Sequence, residues 1–248
     1  MHNIFVVGLG PGKEELMTAE ALNALDTCDT IIGYTVYLGL LGERYKDKEF
    51  LSTPMMQEEK RCRLCFEEAM KGKQVAMICS GDAGIYGMAS LMFETGKDFP
   101  ECELTIIPGI TAASSGAAVL GAPLNHDFCV ISLSDLLTPW ELIEKRLSLA
   151  AQADFAMALY NPSSKRRHDY LQKACDILLA YIEPERPCGY VVNIGREGTK
   201  KYVCTLKELR DTQVDMFTTV FIGNSTAEII DGNLVTKRGY PSERRNNE

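Results

Sequence analysis

The strongest constraint on this fold is a repeated transition. A short apolar run ends in a turn rich in glycine or asparagine, and a helical pattern follows. "FVVGLGPGKEE" (5–15), "QVAMICSGDAGIYG" (74–87), "ELTIIPGITAASSG" (103–116) and "DFAMALYNPSS" (154–164) all read this way. Between them lie helical patterns: "EELMTAEALNALDTC" (14–28), with Leu16, Ala19, Leu22 and Leu25 on one face, "EEKRCRLCFEEAMKGK" (58–73), "AGIYGMASLMFE" (83–94), "PWELIEKRLSLAAQA" (139–153) and "KRRHDYLQKACDILLAYI" (165–182). "DTIIGY", "PLNHDFCVISLSD", "PCGYVVNIG" and "TTVFIGNS" add further strands. Such alternation predicts an α/β fold whose largely parallel sheets are covered by helices. The small-residue helix "TAASSGAAVLGA" (111–122), followed by "GAPLNHD", marks the best boundary, giving domains 1–121 and 122–248. No Ser- or Gly-rich linker separates them, so closely packed halves are expected.

The first turn looks like a dinucleotide cradle and fails the test. Counting from Gly8, the sixth position of a G-x-G-x-x-G pattern is Lys13. Pro11 sits where a free N–H would be needed, and proline has none. A tight turn fits, and a pyrophosphate site does not.

Charge and cysteine content exclude other classes. The net charge of −8 argues against a large nucleic-acid footprint, which requires Lys and Arg to neutralise phosphates. No apolar run approaches the roughly 20 residues of a membrane span. "MHNIFVVGLG" enters a strand directly, without a basic segment or cleavage site, so a cytoplasmic protein is expected. The nine cysteines are irregularly spaced and several sit in apolar runs, which suits free thiols in a reducing compartment. Cys62 and Cys65 form one C-x-x-C with no second pair, and a four-ligand zinc site needs two more ligands. They read as thiols on adjacent helical turns, and no protein metal site is expected.

The four turns follow the carboxyl ends of strands, where open α/β sheets bind ligands. Asp82 could orient a ribose hydroxyl or an amine, or cap the following helix. Thr111 and Ala112 stand at a helix start, where free N–H groups point outward. Their alternative is ordinary turn and helix packing.

Taken together and in order, Gly8–Gly12, Gly81–Gly87, Pro108–Ala112 and Tyr160–Pro162 resemble the tetrapyrrole methylases, the class III S-adenosylmethionine-dependent methyltransferases. The resemblance covers essentially the whole chain. Longer blocks, 120–147, 159–167, 193–198 and 218–240, resemble the branch that methylates C17 of precorrin-3B, or of its cobalt-loaded counterpart, in cobalamin biosynthesis. Methylation at another position, such as C11, is the alternative. Ala83 departs from the proline common in relatives.

The resemblance implies two α/β domains with a ligand cleft between them, methyl transfer from S-adenosylmethionine, contraction of the macrocycle, and a homodimer. It assigns the donor to Pro11, Ser80, Gly81, Asp82, Ile85, Thr111 and Ala112 in the first half. In the second it assigns Tyr160, Asn161, Asn193, Gly195 and Thr218. A substrate with many carboxylates calls for local basic clusters, and Lys165, Arg166 and Arg167 are the first candidates. Their alternative is a solvated helix face, and that is the better reading of a second run, Lys60, Arg61 and Arg63. Ring contraction implies moving a proton off a hydroxyl. His126, Asp135 and Tyr160 are the catalytic candidates, with Asp127 beside them. His126 titrates near neutrality when unperturbed, and its alternative is a hydrogen-bonded hinge residue.

Overall fold

The computed structural model describes residues 1–164 and 167–240. These fall into two compact units, Met1–Ala112 and one that begins at Ala113. Among the described residues, no helix is long and apolar enough to cross a membrane.

The first unit contains β1 (His2–Gly8), α1 (Ala19–Thr27), β2 (Thr30–Tyr34), α2 (Thr35–Leu38), β3 (Glu49–Thr53), α3 (Glu58–Met70), β4 (Val75–Cys79), α4 (Ala89–Gly96) and β5 (Cys102–Ile107). Its sheet has the order β3-β2-β4-β1-β5, and every pairing is parallel. Both faces are covered, so the central strands are nearly continuous apolar runs. Ile4, Val6, Val75 and Met77 pack against α3 and α4 through Cys62, Phe66 and Met92. Val7, Ala76 and Ile78 face the other way, towards Ala21 and Leu25 of α1. From β1 the chain leaves for β2, and from β4 it leaves for β5 on the opposite side of β1. The chain thus leaves these neighbouring strands for opposite faces of the sheet, with α1 on one and α4 on the other, a switch point at the carboxyl edge of the kind that binds ligands.

Three helices differ from the sequence expectation, and the one expected over 165–182 spans Tyr170–Leu178. The one expected from residue 14 begins at Ala19, because the Thr18 hydroxyl accepts the Ala21 N–H at 3.1 Å and caps it there. Its buried stripe is Ala21, Ala24 and Leu25, with Ala19 exposed. The helix expected from residue 83 begins at Ala89. Asp82 draws the N–H groups of Gly84 and Ile85 to its carboxylate, and Tyr86 turns left-handed at φ 54°, so residues 83–88 form a loop.

The second unit holds most of α5 (Ala112–Leu120), then β6 (Gly121–Ala122), β7 (Phe128–Ser132), α6 (Trp140–Gln152), β8 (Ala156–Tyr160), α7 (Tyr170–Leu178), β9 (Pro187–Val192), β10 (Lys200–Thr205), α8 (Leu206–Arg210), β11 (Thr218–Ile222), β12 (Ala227–Ile230) and β13 (Asn233–Thr236). Helix α5 groups here and not with the first half, because its small face packs on this unit's sheet. A Cβ added at Gly116 would lie 2.8 Å from the Phe221 ring, and Leu120 packs on Gly189. The main sheet has the order β10-β9-β11-β8-β7. Only β7 and β8 pair in parallel; β8–β11, β11–β9 and β9–β10 are antiparallel. The link from Val192 to Lys200 has no crossover helix, which antiparallel pairing permits and parallel pairing does not. A small sheet, β12-β13-β6, closes the unit. Asp231 and Gly232 turn its hairpin, both at positive φ as a two-residue connection requires.

Candidate functional site

In the first unit the loops after β1, β4 and β5 are fused through their backbones. Gly10 donates its N–H to the Gly81 carbonyl at 3.0 Å, and Gly81 returns the bond at 2.7 Å. A Cβ added at Gly109 would lie 2.1 Å from the Gly81 oxygen and 2.6 Å from the Gly8 carbonyl carbon. One added at Gly8 would lie 2.6 Å from the Gly109 nitrogen. Side chains cannot exist at either contact, so glycine here permits the three loops to touch. Gly81 lies at φ 70°, and a Cβ there would point towards Thr111 and Ala112, 3.8 and 3.9 Å away. Asp82 fastens the cluster. One carboxylate oxygen accepts Gly84 N–H at 2.8 Å and Ile85 N–H at 3.1 Å, and the other accepts Gly109 N–H at 3.0 Å.

Pro11, Ser80, Gly81, Asp82, Thr111 and Ala112, scattered over the first half of the sequence, thus belong to one loop cluster at the carboxyl edge of β1, β4 and β5. Ile85 stands beside them with its side chain 41% exposed. Sequence reasoning saw Gly8 and Gly109 as motif letters. It missed that they are the contact on which the cluster rests.

In the second unit the assigned positions gather at one end of the main sheet. β7 and β8 run in parallel with Ser132 opposite Tyr160, and Thr218 pairs with Val192 beside Asn193. Here side chains do the joining. The Tyr160 hydroxyl accepts the Ala113 N–H at 2.6 Å, anchoring the first turn of α5. Asn161, left-handed at φ 54°, donates from Nδ2 to the Ser132 hydroxyl at 2.9 Å. Asn193, at φ 53°, takes Arg196 N–H and the Thr199 hydroxyl on its carbonyl, and Gly195 follows at φ 66°. Asparagine tolerates this region better than other non-glycine residues. Thr218 is buried and its hydroxyl donates to Asp215 at 2.9 Å, so its backbone is what it presents to the sheet end.

The proton-transfer candidates are not together. His126 is exposed, and its Nε2 lies 2.8 Å from the Lys237 carbonyl. A carbonyl only accepts, so Nε2 carries the hydrogen and Nδ1 the lone pair of the neutral ring. Asp127 offers its carbonyl to the Ala156 N–H at 3.2 Å. Asp135 receives the Tyr170 hydroxyl at 2.6 Å and Arg167 Nη1 at 3.1 Å. The Tyr170 bond, then the Arg167 charge, holds its carboxyl below the ordinary carboxylate range. Tyr170 and Ser134 went unnoticed in the sequence, although Ser134 lies inside the block "SLSDLLTPW".

Of the first basic run, Lys165 and Arg166 lie outside the described residues, and Arg167 makes the contacts just given. The second run is corrected. Arg61 is buried and donates from Nη2 to the carbonyls of Thr53 and Pro54 at 3.3 and 3.1 Å, while Arg63 pairs with Asp98 at 2.7 Å. Cys62 and Cys65 are buried on α3, and burial pushes the Cys62 thiol up to about 12. Among the described residues, no group of three or more His, Cys, Asp or Glu is placed to hold a metal ion.

Comparison with known proteins bears on this geometry. A family model described as tetrapyrrole (corrin/porphyrin) methylases matches residues 3–210. The chain is 45% identical over 236 residues to the probable cobalt-factor III C(17)-methyltransferase of Salmonella typhimurium, covering 95% of this chain and 98% of that one. It is 38% identical over 232 residues to the precorrin-3B C(17)-methyltransferase of a Sinorhizobium species, covering 92% and 91%. The crystal structure of the methyltransferase CobJ matches with a TM-score of 0.88 at 38% identity, covering 96% of this chain and 100% of that one.

Proposed function

The chain belongs to the tetrapyrrole methylases, and on that premise we propose that it transfers a methyl group from S-adenosylmethionine to C17 of precorrin-3B or cobalt-factor III, with contraction of the macrocycle, in cobalamin biosynthesis. The observation that carries this reading is identity of 45% with the probable cobalt-factor III C(17)-methyltransferase along nearly the full length of both chains. The acidic net charge and the local basic side chains agree with a polyanionic substrate held at one place and not by a general field. As the family resemblance implies, the enzyme works as a homodimer.

S-adenosylmethionine, when bound, supplies an electrophilic sulfonium methyl. The loop cluster of the first unit is the proposed place for such a group, since its glycines let three strand-end loops meet and so set residues 80–85 and 109–112 side by side at the carboxyl edge. Backbone carbonyls suit a sulfonium, whereas a carboxylate risks being alkylated. Pro11, Ser80, Gly81, Thr111 and Ala112 are the proposed backbone contacts, and Ile85 the apolar wall. Asp82 fixes the loops with three accepted N–H bonds and keeps lone-pair capacity for a donor hydroxyl or amine. In the second unit, Tyr160, Asn161, Asn193, Gly195 and Thr218 are the proposed donor positions. Lys165, Arg166 and Arg167 are proposed for the substrate carboxylates. His126, the sequence candidate for proton acceptor, precedes β7 at the end of the sheet opposite Ser132 and Tyr160 and is not proposed for that step. Little covalent help is needed for a strong electrophile and an electron-rich carbon, so orientation supplies most of the rate; effective molarities of about 10⁵ M are available to well-placed partners.

The test is to incubate the pure protein with methyl-labelled S-adenosylmethionine and, separately, precorrin-3B and cobalt-factor III. A labelled, ring-contracted product from at least one is expected. No transfer to either, or label at another ring carbon such as C11, contradicts the proposal.

A further inference from the structure

We propose that Asp135 is a positioning residue: it holds the Arg167 guanidinium in place to receive a carboxylate of the tetrapyrrole, and is not the base of ring contraction. This rests on the function proposed above.

The parallel register of β7 and β8 sets the loops that follow them side by side. Ser134 and Asp135 lie on the first, Ser164 and Arg167 on the second, and Tyr170 begins α7. Arg167 donates from Nε to the Ser164 hydroxyl at 3.2 Å, and from Nη1 to the Ser134 hydroxyl at 2.6 Å and Asp135 Oδ1 at 3.1 Å. Reciprocal backbone bonds between Ser164 and Arg167, at 3.3 and 3.1 Å, fix the chain beneath it. Asp135 Oδ2 is held in turn by the Tyr170 hydroxyl at 2.6 Å, and the Tyr170 ring packs on Trp140 with centroids 4.6 Å apart. Nη2 of Arg167 donates to no atom of the described residues. The guanidinium is therefore fixed along one side, with Nη2 bonded to none of the described residues and 26% of the side chain exposed.

Three arguments favour positioning over proton transfer. Both Asp135 oxygens already accept hydrogen bonds, which hold the carboxylate ionised and make it a reluctant base. An ion pair this exposed contributes little to stability, so folding alone does not account for a bracket of three polar side chains around one guanidinium. Nη2 is what remains to meet a substrate carboxylate, and it points in one direction only when the guanidinium plane is held.

The test compares wild type with Asp135→Asn, Arg167→Gln and the double variant, using cobalt-factor III and precorrin-3B. It reads KM for the tetrapyrrole, kcat and the contracted fraction of methylated product. Thermal midpoint and S-adenosylhomocysteine affinity by calorimetry report folding and the donor site. Each single variant is expected to raise KM about tenfold, the loss of one charge-assisted contact. The double variant should be no worse than Arg167→Gln, because Asp135 acts through Arg167. The contracted fraction and the S-adenosylhomocysteine affinity should hold. Tyr170→Phe, which removes only the hydroxyl bracing Asp135, should raise KM about threefold and serves if Asp135→Asn does not fold. Loss of contraction in Asp135→Asn at unchanged KM would make Asp135 a proton carrier and overturn the proposal. So would tighter substrate binding, which would make it a competitor for Arg167, or additive effects in the double variant. A wild type that methylates neither tetrapyrrole refutes the function itself, a result distinct from any of these.

Discussion

The carboxyl edge of the first sheet and the corresponding end of the second are held in shape by different parts of the chain. In the first unit the loops meet backbone to backbone, Gly8 against Gly109 and Gly10 laddered to Gly81, and one side chain, the Asp82 carboxylate, gathers three N–H groups. In the second unit, side chains reach between loops, as with Asn161 to Ser132, Tyr160 to Ala113, and Arg167 to Ser134 and Asp135. Backbone contact at van der Waals distance leaves no room for substitution. A side-chain bracket can be rebuilt with other residues. The first arrangement suits an invariant ligand part such as a methyl donor, and the second suits recognition of one substrate among several.

That contrast breaks most easily at Gly109. Gly109→Ala forces a Cβ to 2.1 Å from a carbonyl oxygen that cannot move without shifting β4. It is expected to cost more than about 3 kcal/mol in urea unfolding and to abolish S-adenosylhomocysteine binding in calorimetry. Gly42→Ala, with nothing within 4 Å of the added carbon, is the matched control and should fall within about 0.5 kcal/mol of wild type. A tolerant Gly109 would mean that the loops are not fused as described.

The side-chain style can be probed away from the substrate. Arg186 is buried, forks onto Glu183 at 2.7 and 2.9 Å, and donates to the Gly223 carbonyl at 3.1 Å. Arg186→Met leaves that carbonyl unpartnered by Arg186 and is expected to cost about 2–3 kcal/mol by denaturant unfolding, with donor affinity retained. Asp82→Asn tests the side chain that gathers three N–H groups of the first cluster. The amide keeps a single acceptor oxygen, so a loss of about 1–2 kcal/mol and weaker donor binding are expected together. Stability loss without a change in donor binding would separate the fastener from the site.

The smallest effect at neutral pH concerns the thiols of both units. Burial raises Cys28 and Cys79 to about 11, and Cys175 and Cys204 to about 12. Between the unfolded value, about 9, and these folded values the native state holds more protons than the unfolded one, so stability falls as pH rises. Thermal midpoints should be flat from pH 7 to the unfolded thiol value and then decline through the folded ones. Cys175→Ala should flatten the alkaline decline while lowering the plateau.

Much of this was legible in the sequence, for reasons that track the same contrast. Apolar runs buried on both faces identified β1, β4 and β8, and the glycine turns after them identified the first loop cluster, because no other residue fits. β3 and β10 escaped notice. They are edge strands, largely exposed, with Glu49, Lys200 and Lys201 where an apolar signal would stand. The β12–β13 hairpin carried a usable signal, Asp231-Gly232 between apolar residues, that went unread. The false helix start at residue 83 shows local side-chain chemistry winning over periodicity, since Asp82 takes the N–H groups that a helix would need. The Asp135–Arg167–Tyr170 bracket was not legible as a unit. It depends on the register of β7 against β8, which spacing along the chain does not contain.

The most direct measurement is a crystal structure with S-adenosylhomocysteine bound. The account expects the ligand on the backbone of residues 80–85 and 109–112, with Asp82 still holding the Gly109 N–H. A ligand lodged elsewhere on the protein, with this loop cluster untouched, would contradict it.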